Sequence, residues 1–416
     1  MLQLVFGRSG YGKTEYIRNR IADKIDRGET QVLLITPEQY SFISEYSLLE
    51  QLGEARAHAV RCLSFSRLCD ECDRLYGADG RKPLTKGGKA ILMKTAIDQV
   101  RPDLELFEKK GSSAAFVQSM TGIYDEMKSC NLSGAAVYAA ADDLDTDILR
   151  CKMRDFSRIM TAYEVLLGDR FADPANRLSR LYDQIKDQNY FAGQTVFLDG
   201  FNGFVAQEYK ILERIIAEAK AVYIALDSDS FGTGDGYDLF AYVNETAGIL
   251  QRIANKAGVP TNALQLGENY RTDYADLRRV EQYIFADQAP EVEIPAEHIR
   301  LYAASTVTDA CNDLALQIKG LLRCGYRAGE IAVTMRDREK YAPVLASAFE
   351  KYGVPYYADE RQPVTAQPIL VFPMYLMRSV IYGWRSDDLF SQPGSAPYRK
   401  LCVYLGHQWC CLEATV

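Results

Sequence analysis

The chain has 416 residues, 48% hydrophobic and 25% charged, which is core enough for roughly two or three globular domains and excludes a disordered or fibrous protein. Its 56 acidic against 48 basic residues leave a formal net charge of −8, which excludes a free-standing, strongly basic nucleic-acid binder but not a strand held in a local groove. The start, Met1-Leu2-Gln3-Leu4-Val5-Phe6, lacks the basic and long apolar stretches of a signal peptide, and the most apolar late segment, 369–383, is interrupted by Pro373 and Arg378, so a cytoplasmic protein with no membrane contact is expected.

Residues 2–6 form the short apolar run of a buried strand. Gly7-Arg8-Ser9-Gly10-Tyr11-Gly12-Lys13-Thr14 follows, and then a helical pattern through Glu15, Ile17, Ile21 and Ile25. This is the phosphate-binding loop in both letters and context. Gly7, Gly10 and Gly12 let the backbone wrap a phosphate, with Arg8, Ser9 and Tyr11 completing the loop and its amides facing the negative charge. Lys13 is expected to reach the β- and γ-phosphates of ATP, and Thr14 to place its hydroxyl on Mg²⁺.

Further strand-like runs lie at 31–36 and 60–65, each leading into a turn or helix start. Between 82 and 189 the period becomes helical: Leu92, Ile97, Leu104, Phe107, Phe116, Ile123 and Met127 recur at helix spacing, as do Leu149, Met153, Phe156, Ile159, Tyr163 and Leu167. A helical insertion is expected there. The strand signal returns at 194–199 and ends in Asp199, an acid placed to hold Mg²⁺. A motor ATPase needs a glutamate next, to orient the attacking water; here the residue is Gly200, and Glu208 lies further along on the following helix. Another strand, 221–226, ends at Asp227. Strands alternating with helices predict an α/β, doubly wound parallel sheet with its ligand at the carboxyl ends of the strands.

An acidic, proline-bearing linker at 288–298 precedes a second α/β unit, expected over 299–390 with strands at 299–303 and 330–335 and helices at 309–322 and 340–352. The P-loop domain is thus expected to comprise 1–81 and 190–287, with the insertion at 82–189 and an atypical tail at 391–416. Ten cysteines are scattered without a paired framework; Cys69 and Cys72 have ligand spacing but no matching second pair, and His58, His298 and His407 stand alone. They read as ordinary reduced thiols and isolated imidazoles.

The ordered set of motifs resembles superfamily 1 helicases of the UvrD/RecB class, and most closely the AddB subunits of AddAB helicase–nucleases. The P-loop followed by Thr36-Pro37-Glu38-Gln39 looks like the AddB opening, Asp199-Gly200-Phe201 like the AddB form of the Mg²⁺ motif, and Asn269-Tyr270-Arg271 like the motif whose arginine reaches the γ-phosphate. Ser64-Phe65-Ser66-Arg67-Leu68 resembles the strand-contacting motif, which makes Ser64 and Arg67 the DNA-binding candidates. In the second unit Val354-Pro355-Tyr356-Tyr357-Ala358-Asp359 is similar to the family core, and Gln367-Pro368 stands where the family usually has His-Pro.

The resemblance implies a RecA-like P-loop domain, a second and incomplete RecA-like unit, and a role in an ATP-dependent helicase–nuclease, a hydrolase. It implies an AddA-type partner, DNA ends and single-stranded DNA as binding partners, and double-strand break repair by homologous recombination. Lys13, Asp199 and Arg271 would serve its chemistry. Family members continue into a nuclease domain with an iron–sulfur cluster held by four cysteines; no such set is recognisable here, and the cluster is not expected. Only six residues precede the loop, leaving no room for the glutamine motif that reads adenine. The tail from Ser391 departs from the family pattern and reads as a frameshift. Three functions stay open on the residues alone: part of an AddB-like subunit, a nucleotide-binding scaffold without turnover, or a small active motor.

Overall fold

In the first strand, β1 (Leu2–Gly7), Leu2, Leu4, Val5 and Phe6 are all fully buried. A strand buried on both faces is what a parallel sheet covered by helices requires. The computed structural model of the chain describes residues 1–383 apart from 79, 111–112, 230–238, 287–289, 292–294, 359–367 and 382. Two units divide it, Met1–Arg300 and Leu301–Val416.

In the first unit, β1 leads through α1 (Lys13–Asp26) to β2 (Val32–Ile35), α2 (Ser41–Leu52), the single turn α3 (Glu54–Ala57), β3 (Val60–Leu63) and α4 (Phe65–Tyr76). The helical segment comprises α5 (Lys86–Val100), α6 (Ala114–Ser129), α7 (Gly134–Ala141) and α8 (Asp147–Leu167), flanked by the short strands β4 (Lys82–Pro83) and β5 (Phe171–Ala172). Next come α9 (Arg177–Ile185), β6 (Thr195–Leu198), α10 (Ala206–Glu218), β7 (Ala221–Asp227), α11 (Ala241–Lys256), β8 (Thr261–Gln265) and α12 (Ala275–Tyr283).

The six main strands stand in the order β3-β2-β6-β7-β1-β8, and every pairing is parallel. β7 therefore separates the P-loop strand from the Asp199 strand, with Gly7 paired to Asp227. This order brings the carboxyl ends of β1, β7 and β6 side by side, which is where an open α/β sheet binds ligands. β8 has no strand signal in the sequence. It is an edge strand with only partly buried positions, so it lacks the apolar run that marks the others.

Alternate residues of each strand feed opposite faces, as the period of two demands. Leu33, Ile35, Val196, Leu198, Val222 and Ile224 join one core, packed under α4, α10 and α11. Val32, Leu34, Phe197, Ala221, Tyr223 and Ala225 join the other, against Ile17 and Ile21 of α1 and Leu48 and Leu52 of α2. The helical insertion has its own core: Ile97, Leu104, Phe107, Phe156, Ile159, Tyr163 and Leu167 are buried in it, as their spacing implies, whereas Leu149 is exposed. Leu181 and Ile185 of α9 belong to the sheet core instead.

In the second unit, α13 (Val307–Arg323) and α14 (Arg338–Tyr352) pack through Cys311, Ala315, Ile318, Leu345, Ala348 and Phe349, and α15 (Pro368–Ile381) follows. The strands expected at 299–303 and 330–335 are not formed among the described residues. Ile331, Val333 and Met335 alternate inward onto the helix pair, which explains the strand-like pattern. A strand also needs a ladder partner, and none is present among the described residues. Asp359, Gln367 and the tail 391–416 lie outside the described residues. No described helix is long and apolar enough to cross a membrane.

Candidate nucleotide site

A cavity of about 460 Å³ opens at the carboxyl ends of the sheet, lined among others by Lys13, Thr14, Arg18, Asp199, Asp227 and Arg271. β1 ends at Gly7, and α1 starts at Lys13 with Gly12 as its N-terminal flank. The loop between them closes on itself through Tyr11 N donating to Arg8 O at 3.1 Å. Gly10 has φ +89°, and a Cβ there would come within 2.8 Å of Arg271 Cβ. Both its backbone conformation and its close neighbour therefore demand glycine.

Lys13 is nearly buried. Its ammonium donates to Gly7 O at 2.7 Å and Arg8 O at 2.9 Å, and lies 2.5 Å from Asp227 Oδ1. Asp199 is 9% exposed. Burial pushes its carboxyl up, opposed by a hydrogen bond donated from the Thr14 hydroxyl, by the Gly200 backbone, and by the charges of Lys13 and Arg18. A buried carboxylate with a hydroxyl as its near donor is an oxygen pair suited to a hard divalent cation such as Mg²⁺. Thr14 and Asp199 are the residues that would hold it.

The 269–271 segment folds over the loop. Tyr270 N donates to Gly10 O at 2.9 Å, Arg271 Nη1 reaches Ser9 Oγ at 3.1 Å, and Arg271 N is held by Asn269 Oδ1 at 2.8 Å. The side chains of Arg8 and Tyr11 turn away from the cavity. Arg8 binds Asp229 Oδ2 at 2.8 Å and the Glu281 carbonyl at 3.0 Å, while Tyr11 donates to Glu281 Oε2 at 3.4 Å. These two residues offer the site their backbone only.

The position after Asp199 is closed to a motor glutamate by more than its identity. Gly200 has φ +83°, and a Cβ there would meet Pro37 Cδ at 3.3 Å. Glu208 is no substitute, because its carboxylate accepts from Val205 N at 2.9 Å and caps α10.

Ser64 is 2% exposed, and its hydroxyl accepts from Arg67 N at 3.2 Å as the N-cap of α4. That buried, committed hydroxyl cannot meet a strand; its chemistry is capping. Arg67 is exposed and paired with Glu45 at 3.3 Å. Cys69 and Cys72 are buried in the sheet core, where burial pushes their thiols up to about 11 and about 12. Asp227, Arg18 and Glu281 give no motif signal. Asp227 could have been found as a second acid ending a buried strand.

A family model described as ADDB, N-terminal, matches residues 4–281. The chain belongs to this family. Among curated relatives, the AddB-type subunit of the ATP-dependent helicase/deoxyribonuclease from Clostridioides difficile strain 630 is 28% identical over 94% of the chain and 35% of its own length. The protein of the same name from Clostridium botulinum strain Langeland is 26% identical, again over 94% and 35%. That of Thermoanaerobacter sp. strain X514 is 24% identical over 94% of the chain and 34% of its own length. The chain spans about a third of the length of these AddB relatives.

Proposed function

We propose that this chain is the nucleotide-binding part of an AddB-type subunit, acting with an AddA-type partner on DNA ends in double-strand break repair. The single observation that carries the nucleotide reading is the convergence of Lys13, Thr14, Asp199 and Arg271 on one cavity at the carboxyl ends of β1 and β6. Lys13 would exchange Asp227 for the β- and γ-phosphates of ATP, Thr14 and Asp199 would hold Mg²⁺, and Arg271 would meet the terminal phosphate. Mg²⁺ would supply charge neutralisation for the phosphates.

The site is of the binding type rather than that of a fast motor. Gly200 supports this, since its left-handed backbone and the neighbouring Pro37 oppose the carboxylate that would orient water. The AddA-type partner would then supply most motor activity. Arg67 is the proposed strand contact, with Ser64 holding the helix that presents it.

Equilibrium titration with a fluorescent ATP analogue in Mg²⁺ tests the nucleotide reading. Wild type should saturate, and Lys13→Ala should bind at least about tenfold more weakly, because a charge-assisted phosphate contact is lost. Equal binding by the two would remove the reading.

A further inference from the structure

The cavity that gathers Lys13, Thr14 and Asp199 is also lined by Arg18, a residue outside the phosphate-loop motif. Arg18 stands four residues after Thr14 on α1, so the two share one face of the helix, a turn apart. Side chains on a helix lean toward its N-terminus, which carries a long guanidinium from about 6 Å behind Thr14 back toward the metal side of the site. Its positive charge acts on the Asp199 carboxylate.

The other arginines nearby are committed to protein partners. Arg8 binds Asp229 and Glu281, Arg20 binds Tyr16 and Asp23, and Arg271 binds Ser9. Arg18 makes no hydrogen bond or ion pair among the described residues. A half-buried guanidinium with unused donors, facing a cavity, calls for an anion.

The charges around the cavity sharpen this. Lys13, Arg18 and Arg271 stand against Glu15, Asp199 and Asp227, so the lining itself is neutral by side chain. Lys13 is already offset by Asp227. A triphosphate entering such a site needs positive charge on the side of its terminal phosphate, and Arg18 is the residue placed to add it.

We propose that Arg18 is a further nucleotide-binding residue, a built-in cation that shares with Mg²⁺ the neutralisation of the terminal phosphate. The inference rests on the nucleotide reading above. Its consequence is triphosphate binding that survives in part without Mg²⁺, and does so through Arg18.

The test is a titration of the full chain with fluorescent ATP and ADP analogues, in Mg²⁺ and in EDTA, for wild type, Arg18→Ala and Arg18→Lys. Chelation should weaken ATP-analogue binding by Arg18→Ala at least about tenfold more than binding by wild type. Arg18→Lys should recover part of that loss, and the ADP analogue should show a smaller difference. Equal Mg²⁺ dependence in wild type and both variants, or equal effects on the two nucleotides, would overturn the role of Arg18 while the nucleotide site stands. Absence of binding by wild type would overturn the nucleotide reading and the role of Arg18 together. Arg18→Lys keeps charge and helix propensity, so it carries the comparison if the alanine variant fails to fold.

Discussion

The Lys13 ammonium and the Asp227 carboxylate face each other at 2.5 Å across the ends of two paired strands, with Gly7 opposite Asp227 in the register. The residue that must reach a phosphate is therefore held by an acid. Replacing Asp227 by Asn keeps the shape and removes the competing charge. Nucleotide affinity should rise by about threefold to tenfold, the scale of a partly exposed ion pair. Calorimetric titration of Asp227→Asn checks this; weaker binding would mean that Asp227 positions Lys13 rather than restraining it.

Gly200 lies in the left-handed region at φ +83°, against Pro37. Supplying the motor glutamate as Gly200→Glu should cost about 1–2 kcal/mol of stability, the penalty for a side chain in that region. Turnover should not increase. Thermal melting and phosphate release on the same variant give both answers; a stable variant with rapid hydrolysis would contradict the role given to the backbone here.

Asp199 gives a pH-dependent prediction. Burial raises its folded-state pKa above the unfolded value, so the ionised carboxylate carries a cost at neutral pH that disappears as pH falls and the folded protein takes up the proton first. Asp199→Asn should accordingly melt higher than wild type at pH 7, and the gap should narrow as pH falls through the raised folded pKa toward the ordinary carboxyl range. Mg²⁺-dependent nucleotide binding should be lost in the same variant. A gap that widens on acidification would mean that the folded-state pKa is depressed instead.

Ser64 and Arg67 should separate cleanly. Ser64→Ala removes the α4 cap and should lower stability by about 1 kcal/mol. Arg67→Ala should leave the melting temperature nearly unchanged, since its pair with Glu45 is exposed, and should weaken binding to a single-stranded oligonucleotide. Fluorescence anisotropy at two salt concentrations distinguishes the two; unchanged anisotropy for Arg67→Ala would take that residue out of the strand contact.

The P-loop, its strand and the Asp199 strand are legible in the sequence because each is a local signal: glycines at fixed offsets, or apolar runs buried on both faces. The helical insertion is legible because Phe156, Ile159, Tyr163 and Leu167 repeat at helix period and do pack together. β8 is not, since a partly buried edge strand has no apolar run. The pattern at 299–303 and 330–335 suggests strands, but for Ile331, Val333 and Met335 alternation records packing on two helices rather than a ladder. Resemblance assigns Ser64 to DNA, although a serine three residues before an amide at a helix start is equally a capping signal. Asp227, Arg18 and Glu281 act through neighbours distant in sequence, and only the strand order brings Asp227 to Lys13.

A site that binds ATP without fast turnover is the reading on which the rest depends. Mg²⁺-dependent phosphate release by the wild-type chain, with and without single-stranded DNA and under conditions where ATP saturates the site, tests it most directly. Slow release that DNA does not accelerate is the predicted result. Brisk, DNA-stimulated release that is abolished in Lys13→Ala would contradict it, because a working motor would then exist despite Gly200.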